Sequence, residues 1–389
     1  MRILHTVAGL WTSTGGPVAS VTSLCAGLAS HGHEVTLLTG SGPLHPSVLA
    51  LRPNVRVRTE RLGAYRIANW SSSFRAACLE EARHADLVHD HGVWLHTDWS
   101  SVIMAGRAGR PVVRSPRGML SPWALRRSRI LKGILWSLVE RRLFARSSLV
   151  HVTSVSEERD VRRLGVAART VVIPNGIDLG GEYAPPHIVK ARADGIPEAG
   201  GQRVVLFLSR IHPVKGIDLL CRAWAELPTD TQAVLLIAGP GEDGDLRELR
   251  HWLATQPGPP ARYIGPVSGS RKLALLSSAW LLALPSHSEN YGMVIAESLA
   301  CGTPVLTTTE MPWAEVVAAG CGWVIAPYVK ALAQTLREAL RVTSDEHEVM
   351  RIKARLLVDR SHSLENTVAL MEQSYQDVIS RRRDATENA

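Results

Sequence analysis

From Trp280 to Pro304 the chain reads Trp-Leu-Leu-Ala-Leu-Pro-Ser-His-Ser-Glu289-Asn-Tyr-Gly-Met-Val-Ile-Ala-Glu297-Ser-Leu-Ala-Cys-Gly-Thr-Pro. The apolar run Trp280 to Leu284 predicts a buried strand, Pro285 to Gly292 a polar loop, and Met293 to Ala300 a helix. That order of elements points to an α/β fold. The predicted helix follows a glycine, so its first backbone N–H groups are free and its dipole is positive there, a setting that suits a phosphate. Glu289 stands just before this anion site, and Glu297 about one turn into the helix. A carboxylate repels a phosphate but accepts hydrogen bonds from hydroxyl groups, and a nucleotide sugar carries hydroxyls on both sides of its diphosphate. The plainer alternative is a surface helix with two solvated acids. The Gly302-Thr-Pro304 turn and a second phosphate signal upstream favour the first reading.

That second signal is Val204-Val-Leu-Phe-Leu-Ser-Arg210-Ile-His-Pro-Val-Lys215-Gly216. A β-branched and aromatic strand enters a short loop with two cations, and a glycine then opens a helix predicted over Ile217 to Glu226. Arg210 offers a planar fork and Lys215 a point charge, a pair suited to a diphosphate. An Arg-and-Lys loop alone is more often solvated surface. Followed about 75 residues later by the glutamate loop, it reads as half of one site.

The N-terminal half alternates in the same way. Arg2 to Ala8 predicts a strand, Gly9-Leu-Trp-Thr-Ser-Thr-Gly15-Gly16-Pro17 a glycine loop, the residues to about Ser30 a helix, and Glu34 to Thr39 a strand. This is a βαβ start whose glycines let the backbone approach a ligand, although a plain turn accounts for them too. Further strands are predicted at Asp86 to His91, Pro111 to Ser115 and Ser148 to Thr153. A chain of 389 residues suits two domains better than one. The texture divides it into an N-terminal domain over residues 1–178, a Gly-, Pro- and Ala-rich linker at 179–202, a C-terminal domain at 203–363 and a terminal helical segment at 364–389.

Charge is unevenly placed. Residues 1–180 hold 23 Lys and Arg against 12 Asp and Glu, a net +11, whereas residues 181–389 hold 21 against 24, a net −3. The excess gathers between Pro122 and Arg146, where Leu131, Ile134, Leu135 and Leu138 share a helical face with Arg127, Lys132, Arg141 and Arg142 elsewhere. The apolar stripe is expected to pack on the N-terminal sheet; the basic face suits an anionic membrane or an anionic acceptor. No recognised nucleic-acid-binding module accompanies the charge. Cys25, Cys78, Cys221, Cys301 and Cys321 are scattered, without a Cys-x-x-Cys pair, which argues for a reducing compartment and against a disulfide frame or zinc cluster. With no signal peptide or spanning stretch evident, a soluble cytoplasmic protein is expected.

Three motifs invite other chemistry. His89-Asp-His91 on a strand aims two rings at one face, but no third metal ligand is evident nearby. Gly239-Pro-Gly241-Glu-Asp-Gly244 matches the dinucleotide fingerprint literally, yet no Asp or Glu occurs between Glu248 and Glu289 to take a ribose. Asp243-Gly-Asp245 resembles a metal-binding pair but stands where a helix starts, a position acids favour through the dipole.

The segment ending in Arg210, Lys215 and Gly216, the two glutamates, Ile173-Pro-Asn-Gly-Ile-Asp178, Leu236-Ile-Ala-Gly-Pro-Gly241 and Gly302-Thr-Pro304 together resemble the retaining glycosyltransferase family four. The resemblance spans roughly residues 2 to 380 and is specific as a set. It implies the GT-B architecture, two Rossmann-like, doubly wound α/β domains facing a cleft, the donor held mainly by the C-terminal one. It further implies that Arg210 and Lys215 neutralise the donor diphosphate, that Glu297 binds the ribose and Glu289 the transferred sugar, and that the backbone of Asn290, Tyr291, Gly292, Met293 and Val294 contacts sugar and phosphate. Gly15 and Gly16 would face the donor phosphates and the acceptor. Relatives carry the His-Gly-x-Trp pattern of His91 at the cleft, and many place a histidine at or near Arg117. Arginine is no general base near neutral pH, so either Arg117 binds an anionic group or His91 supplies the polar contact. The expected reaction moves a sugar from a nucleoside-diphosphate donor, a UDP- or GDP-sugar, to a saccharide or lipid-linked saccharide acceptor. No metal and no cofactor beyond that co-substrate are expected. A non-hydrolysing sugar-nucleotide epimerase of the same fold, an NAD oxidoreductase and an inactive scaffold are the alternatives.

Overall fold

The computed structural model describes residues 1–11, 16–63, 70–181, 183, 185, 187–188 and 196–387. They form two compact units: residues 1–176 with 364–389, and residues 177–363.

The first unit is built on a seven-stranded parallel sheet in the order β3-β2-β1-β4-β5-β6-β7. Its strands are β1 (Arg2–Val7), β2 (Glu34–Gly40), β3 (Arg56–Glu60), β4 (Leu87–His91), β5 (Val112–Ser115), β6 (Leu149–Val152) and β7 (Thr170–Val172). The second unit carries a six-stranded parallel sheet in the order β10-β9-β8-β11-β12-β13. Here the strands are β8 (Arg203–Leu208), β9 (Ala233–Ala238), β10 (Ala261–Tyr263), β11 (Leu281–Leu284), β12 (Val305–Thr308) and β13 (Gly322–Ile325). Each sheet is doubly wound, with the strand order reversing between β1 and β4 in one and between β8 and β11 in the other. In open sheets of this kind ligands bind beyond the carboxyl ends of the strands at that reversal.

Central strands of a parallel sheet are covered on both faces and so read as unbroken apolar runs. Ala-Val-Leu-Leu-Ile-Ala in β9 and Leu-Leu-Ala-Leu in β11 are buried at every position. The second core adds Trp224 and Trp313, both fully buried. In the first unit the Gly16–Ser30 helix packs Val21, Leu24, Cys25 and Leu28 against Ile3, and the Leu364–Glu387 helix joins them through Val368, Met371, Tyr375 and Val378, all on one helical face.

Residues 179–202, read above as a linker, fall within the second unit. Tyr183, Ile188 and Ala199 are buried in its core, with Leu179 and Ile196 packed against them; these apolar side chains outweigh the loop-like composition around them. The basic segment departs further from expectation. It is broken into helices at Pro122–Arg126, Arg129–Leu135 and Arg141–Ala145, with one π-turn at Trp136–Glu140, and Ser128 holds a left-handed φ of 60° at the first break. Its stripe does not cover the sheet. Ile130 is 82% exposed, Leu131 58%, Ile134 51% and Leu138 57%. What the segment buries instead is Leu143 and Phe144, beyond the stripe.

All five cysteines are free and buried, and burial pushes each thiol up to about 12. Among the described residues no helix is long and apolar enough to cross a membrane.

Candidate active site

In the second unit the loops after β8 and β11 are locked together. The His287 N–H donates to the Val214 carbonyl at 2.8 Å. A Cβ on Gly216 would fall 1.9 Å from the Pro285 carbonyl oxygen, and its φ is 69°, so only glycine allows this approach. The contact brings Lys215 onto Glu289 as a salt bridge between two mostly buried side chains. Arg210 lies exposed at the mouth of the same loop.

Gly292, at φ 84°, is the N-cap of the Met293–Ala300 helix and offers no side chain to its first amides. Asn290, Met293 and Val294 are half-buried around this end, and Tyr291 and Gly292 are buried. The opposite end is saturated: Arg355 donates to the Ala300 carbonyl at 2.6 Å and Arg351 to that of Cys301 at 3.2 Å, cations placed where the dipole is negative. The helix is therefore held at its carboxyl end and presents bare N–H groups at the other, the arrangement of an anion site. Glu297 is 8% exposed, and its Oε1 lies 2.6 Å from Lys272 Nζ.

The dinucleotide-like loop is closed by protein. A Cβ on Gly239 would meet the Ser209 carbonyl oxygen at 1.8 Å. The Ile211 N–H donates to the Pro240 carbonyl at 2.7 Å, and the Tyr263 hydroxyl donates to that of Gly239 at 2.9 Å. Its glycines serve packing between the β8 and β9 loops.

In the first unit, β1 and β4 meet in register, His5 beside His89 and Val7 beside His91. Gly16 begins its helix exposed, with open space where a side chain would stand; Gly15 lies outside the described residues. Beyond β4 and β5, Arg117 holds φ 54° and Gly118 φ 78°. A non-glycine residue in that region is strained, and such strain gathers at functional positions. The Arg117 guanidinium donates to His91 Nδ1 at 2.9 Å and to Asn175 Oδ1 at 2.8 Å.

Because arginine only donates, this contact fixes the proton of His91 on Nε2, from which it donates to His5 Nδ1 at 2.9 Å. The neighbouring chain is ordered from its other end. The Ile173 carbonyl takes the His151 Nε2–H at 2.9 Å, so His151 Nδ1 accepts from Ser115 Oγ at 2.8 Å. Ser115 in turn accepts from His89 Nε2 at 2.7 Å, and His89 Nδ1 from the Tyr375 hydroxyl at 2.6 Å. All four imidazoles are neutral. Burial, joined by the Arg117 charge, pulls His5 and His151 down to about 3, and burial pulls His89 and His91 well below the ordinary value.

A third histidine thus does stand beside His89 and His91. The His5, His89 and His91 ligand atoms lie within 4.8 Å of one another. The His5 partner was illegible because β1 is 84 positions from His89. Yet hydrogen bonds engage every ring nitrogen of the three except His5 Nε2, and a guanidinium stands against His91. The donor set is committed to hydrogen bonding and suits a cation poorly.

Behind this site Arg114 is fully buried. Its Nη2 lies 3.0 Å from Glu140 and its Nε 3.4 Å from Asp90. Burial raises the Asp90 and Asp98 carboxyls, Asp90 to about 7. Glu140 accepts from the Trp94 backbone N–H at 2.7 Å and the Trp99 indole at 2.9 Å. The cluster pins the Gly92–Trp94 turn, where Trp94 holds φ 84°.

Two family models match the chain, a glycosyl transferase 4-like domain over residues 15–176 and glycosyl transferases group 1 over residues 191–356. A D-inositol 3-phosphate glycosyltransferase of Nocardia farcinica is 30% identical over 320 residues, 75% of this chain and 69% of that protein. The chain is a glycosyltransferase of family four. A second protein of the same name, from Actinosynnema mirum, is 28% identical over 84% of this chain and 86% of its own. Among solved structures, Anabaena HepE in complex with UDP-glucose superposes with a TM-score of 0.76 at 20% identity, covering 97% of this chain and all of that one. Sucrose-phosphate synthase from Thermosynechococcus elongatus gives 0.71 at 22% identity, covering 98% and 99%. The fold of this glycosyltransferase is GT-B.

Several residues around the glycosyltransferase's candidate sites carried no readable signal. Lys272, the partner of Glu297, sits in an ordinary Ser-Arg-Lys run opening the Gly269–Ser278 helix. Asn175 was visible only as part of the Ile-Pro-Asn-Gly motif, without its bond to Arg117. His362 and Glu315, which stand beneath Tyr291, belong to no motif.

Proposed function

We propose that the enzyme transfers a sugar from a UDP- or GDP-sugar, with retained anomeric configuration, to a glycan or lipid-linked saccharide. One observation carries this reading: at the β8–β11 reversal, Lys215, Glu289, Glu297 and an uncapped helix N-terminus converge. Lys215, Arg210 and the free amides of Met293 and Val294 stabilise the charge that develops on the departing diphosphate. Glu297 takes the ribose hydroxyls and Glu289 those of the sugar. The acceptor hydroxyl oxygen bonds to the anomeric carbon as its bond to the phosphate oxygen breaks, and the proton passes to the leaving diphosphate on the same face. The reaction needs no metal. HepE, solved with UDP-glucose, supports a UDP-sugar. The relatives named for D-inositol 3-phosphate support an acceptor that carries an anionic group. The packed Gly239 loop speaks against a dinucleotide.

A panel of UDP-, GDP- and ADP-sugars, their diphosphates and NAD tests the donor by thermal shift. A ligand at about 100 times its Kd adds about 2.7 kcal/mol, so one nucleotide class is expected to raise Tm, and mass spectrometry then to find a glycosylated saccharide. A rise with NAD alone sinks the reading. Donor turnover without an acceptor product favours the epimerase, and binding without turnover the scaffold.

The exposed stripe adds a location. Trp123, Ile130, Leu131, Ile134 and Leu138 stand in water beside exposed Arg126, Arg127, Arg129, Arg141 and Arg142. Apolar side chains flanked by cations fit an anionic bilayer surface, each nearby cation adding about 1 kcal/mol. The enzyme on this reading works as a peripheral protein at the inner face of the plasma membrane, where a lipid-linked acceptor is presented. It is expected to co-sediment with vesicles containing phosphatidylglycerol at low salt, to be released at high salt, and to be weakened by Ile130→Asp with Leu131→Asp. No binding at low salt removes the membrane and lipid-linked parts of the proposal.

A further inference from the structure

Tyr291, in the proposed donor loop, is held from beneath. Its ring is 4% exposed, its hydroxyl lies 2.9 Å from His362 Nδ1, and His362 Nε2 lies 2.8 Å from Glu315 Oε1. The Glu315 carboxylate only accepts, which sets the His362 proton on Nε2 and leaves Nδ1 to receive the Tyr291 O–H. The Trp313 indole donates to the Tyr291 carbonyl, and its ring stacks obliquely 4.7 Å from that of His362. A Cβ on Gly292 would meet Met311 at 2.7 Å, so this platform rises directly beneath the helix N-cap. The order Glu-His-Tyr resembles an activated nucleophile, but burial raises the Tyr291 hydroxyl well above its ordinary value. The trio positions the loop.

The backbone of the same histidine has a second contact. The His362 carbonyl accepts the Ile177 N–H at 2.8 Å, and Ile177 forms a parallel bridge with Ser363. Ile177 is the first residue of the second unit and Ser363 its last, so these are the two points where the chain passes from one unit to the other. The passages are packed backbone to backbone, since a Cβ on Gly176 would fall 2.5 Å from the Leu364 Cα. His362 therefore holds the donor loop with its ring and a chain crossing with its carbonyl.

We propose that His362 is a positioning residue that couples occupancy of the donor loop to the paired crossings at Ile177 and Ser363. The inference rests on the donor reading above. A nucleotide that orders Tyr291 orders the His362 ring bonded to it, and with the ring the carbonyl that holds Ile177. By linkage, a crossing held in its bridged form favours the loop that binds nucleotide. The coupling explains why so buried a residue carries a ring that bonds at both nitrogens and a carbonyl used outside the helix it ends.

The test measures UDP binding by calorimetry and amide exchange at residues 176–178 with and without UDP, in the wild type, His362→Leu, His362→Gln and Tyr291→Phe. In the wild type UDP is expected to slow exchange of the Ile177 amide about tenfold. His362→Leu is expected to keep UDP affinity within about fivefold, to lose that protection and to lower kcat about tenfold while KM for the donor moves little. His362→Gln, whose amide can still donate to Glu315 and accept from Tyr291, recovers part of both. Tyr291→Phe removes a single oxygen and reads the same link if the leucine variant does not fold. Protection of Ile177 by UDP that persists undiminished in His362→Leu or Tyr291→Phe overturns the coupling. Failure of the wild type to bind UDP shows in the isotherm and counts against the UDP form of the donor reading, GDP then taking its place in the same test.

Discussion

Lys215→Ala is expected to lower kcat by about 100- to 1000-fold, the loss that follows removal of one preorganised charge-stabilising group. Lys215 is paired with Glu289, in the loop ahead of the free helix N-terminus, across the Gly216–Pro285 contact that holds the two loops together. In the resting enzyme it neutralises Glu289. On the proposed reading a diphosphate gives the ammonium a stronger partner and releases the carboxylate to the sugar hydroxyls, so one substitution would damage both functions. Lys215→Arg is expected to recover only part of the rate, because a planar fork does not replace a point charge in so close a space. Steady-state kinetics with donor and acceptor both varied checks this, alongside Tm. A fall of less than about threefold at unchanged Tm contradicts the role given to Lys215.

The second large effect is on stability. Lowering the pH from 7.5 to 5.5 is expected to remove the stability that the neutral histidines contribute to the first unit. The sign follows from His5, His89, His91 and His151, all held neutral in the fold, with His5 and His151 drawn down to about 3 from an ordinary 6.5. Once unfolded, each takes up a proton near its ordinary value, so stability present above that value is lost as the pH falls towards the folded one. One unit below, each such histidine costs on the order of 1 kcal/mol. Asp90, Asp98 and Glu157 act the other way, because burial raises their carboxyls and the folded state then holds the extra proton; Asp90 does so below about 7. They offset part of that loss. Amide exchange in β1, β4 and β5, corrected for its intrinsic pH dependence, reads the difference directly. Lower protection at pH 5.5 is the expected result, and greater protection shows that the carboxyls and not the histidines set the pH response.

What was legible follows from burial. Strands covered on both faces, such as β8, β9 and β11, announce themselves as apolar runs. The glycines beside them mark loops where backbone meets backbone, as Gly216 does. The edge strands β3, β7 and β10 are short and half-exposed and carry no such run. Local pattern also hides pairings made across the fold. A charged Arg114 inside a strand gives no hint of Glu140 and Asp90, nor Glu297 of Lys272. The basic stripe misled for a related reason. Helical spacing shows that apolar residues share a face, and says nothing of whether protein or water covers it.

The measurement closest to the central claim is calorimetric titration of the wild type, Glu297→Ala and Lys215→Ala with the nucleoside diphosphate that gives the largest thermal shift. On the proposed reading Glu297, behind the helix N-terminus, would accept charge-assisted hydrogen bonds from the ribose, so its loss is expected to weaken binding by about 10- to 100-fold. Lys215→Ala is expected to weaken it as well, through the diphosphate. Undiminished affinity in both variants, at unchanged Tm, would place the nucleotide somewhere other than the β8–β11 reversal.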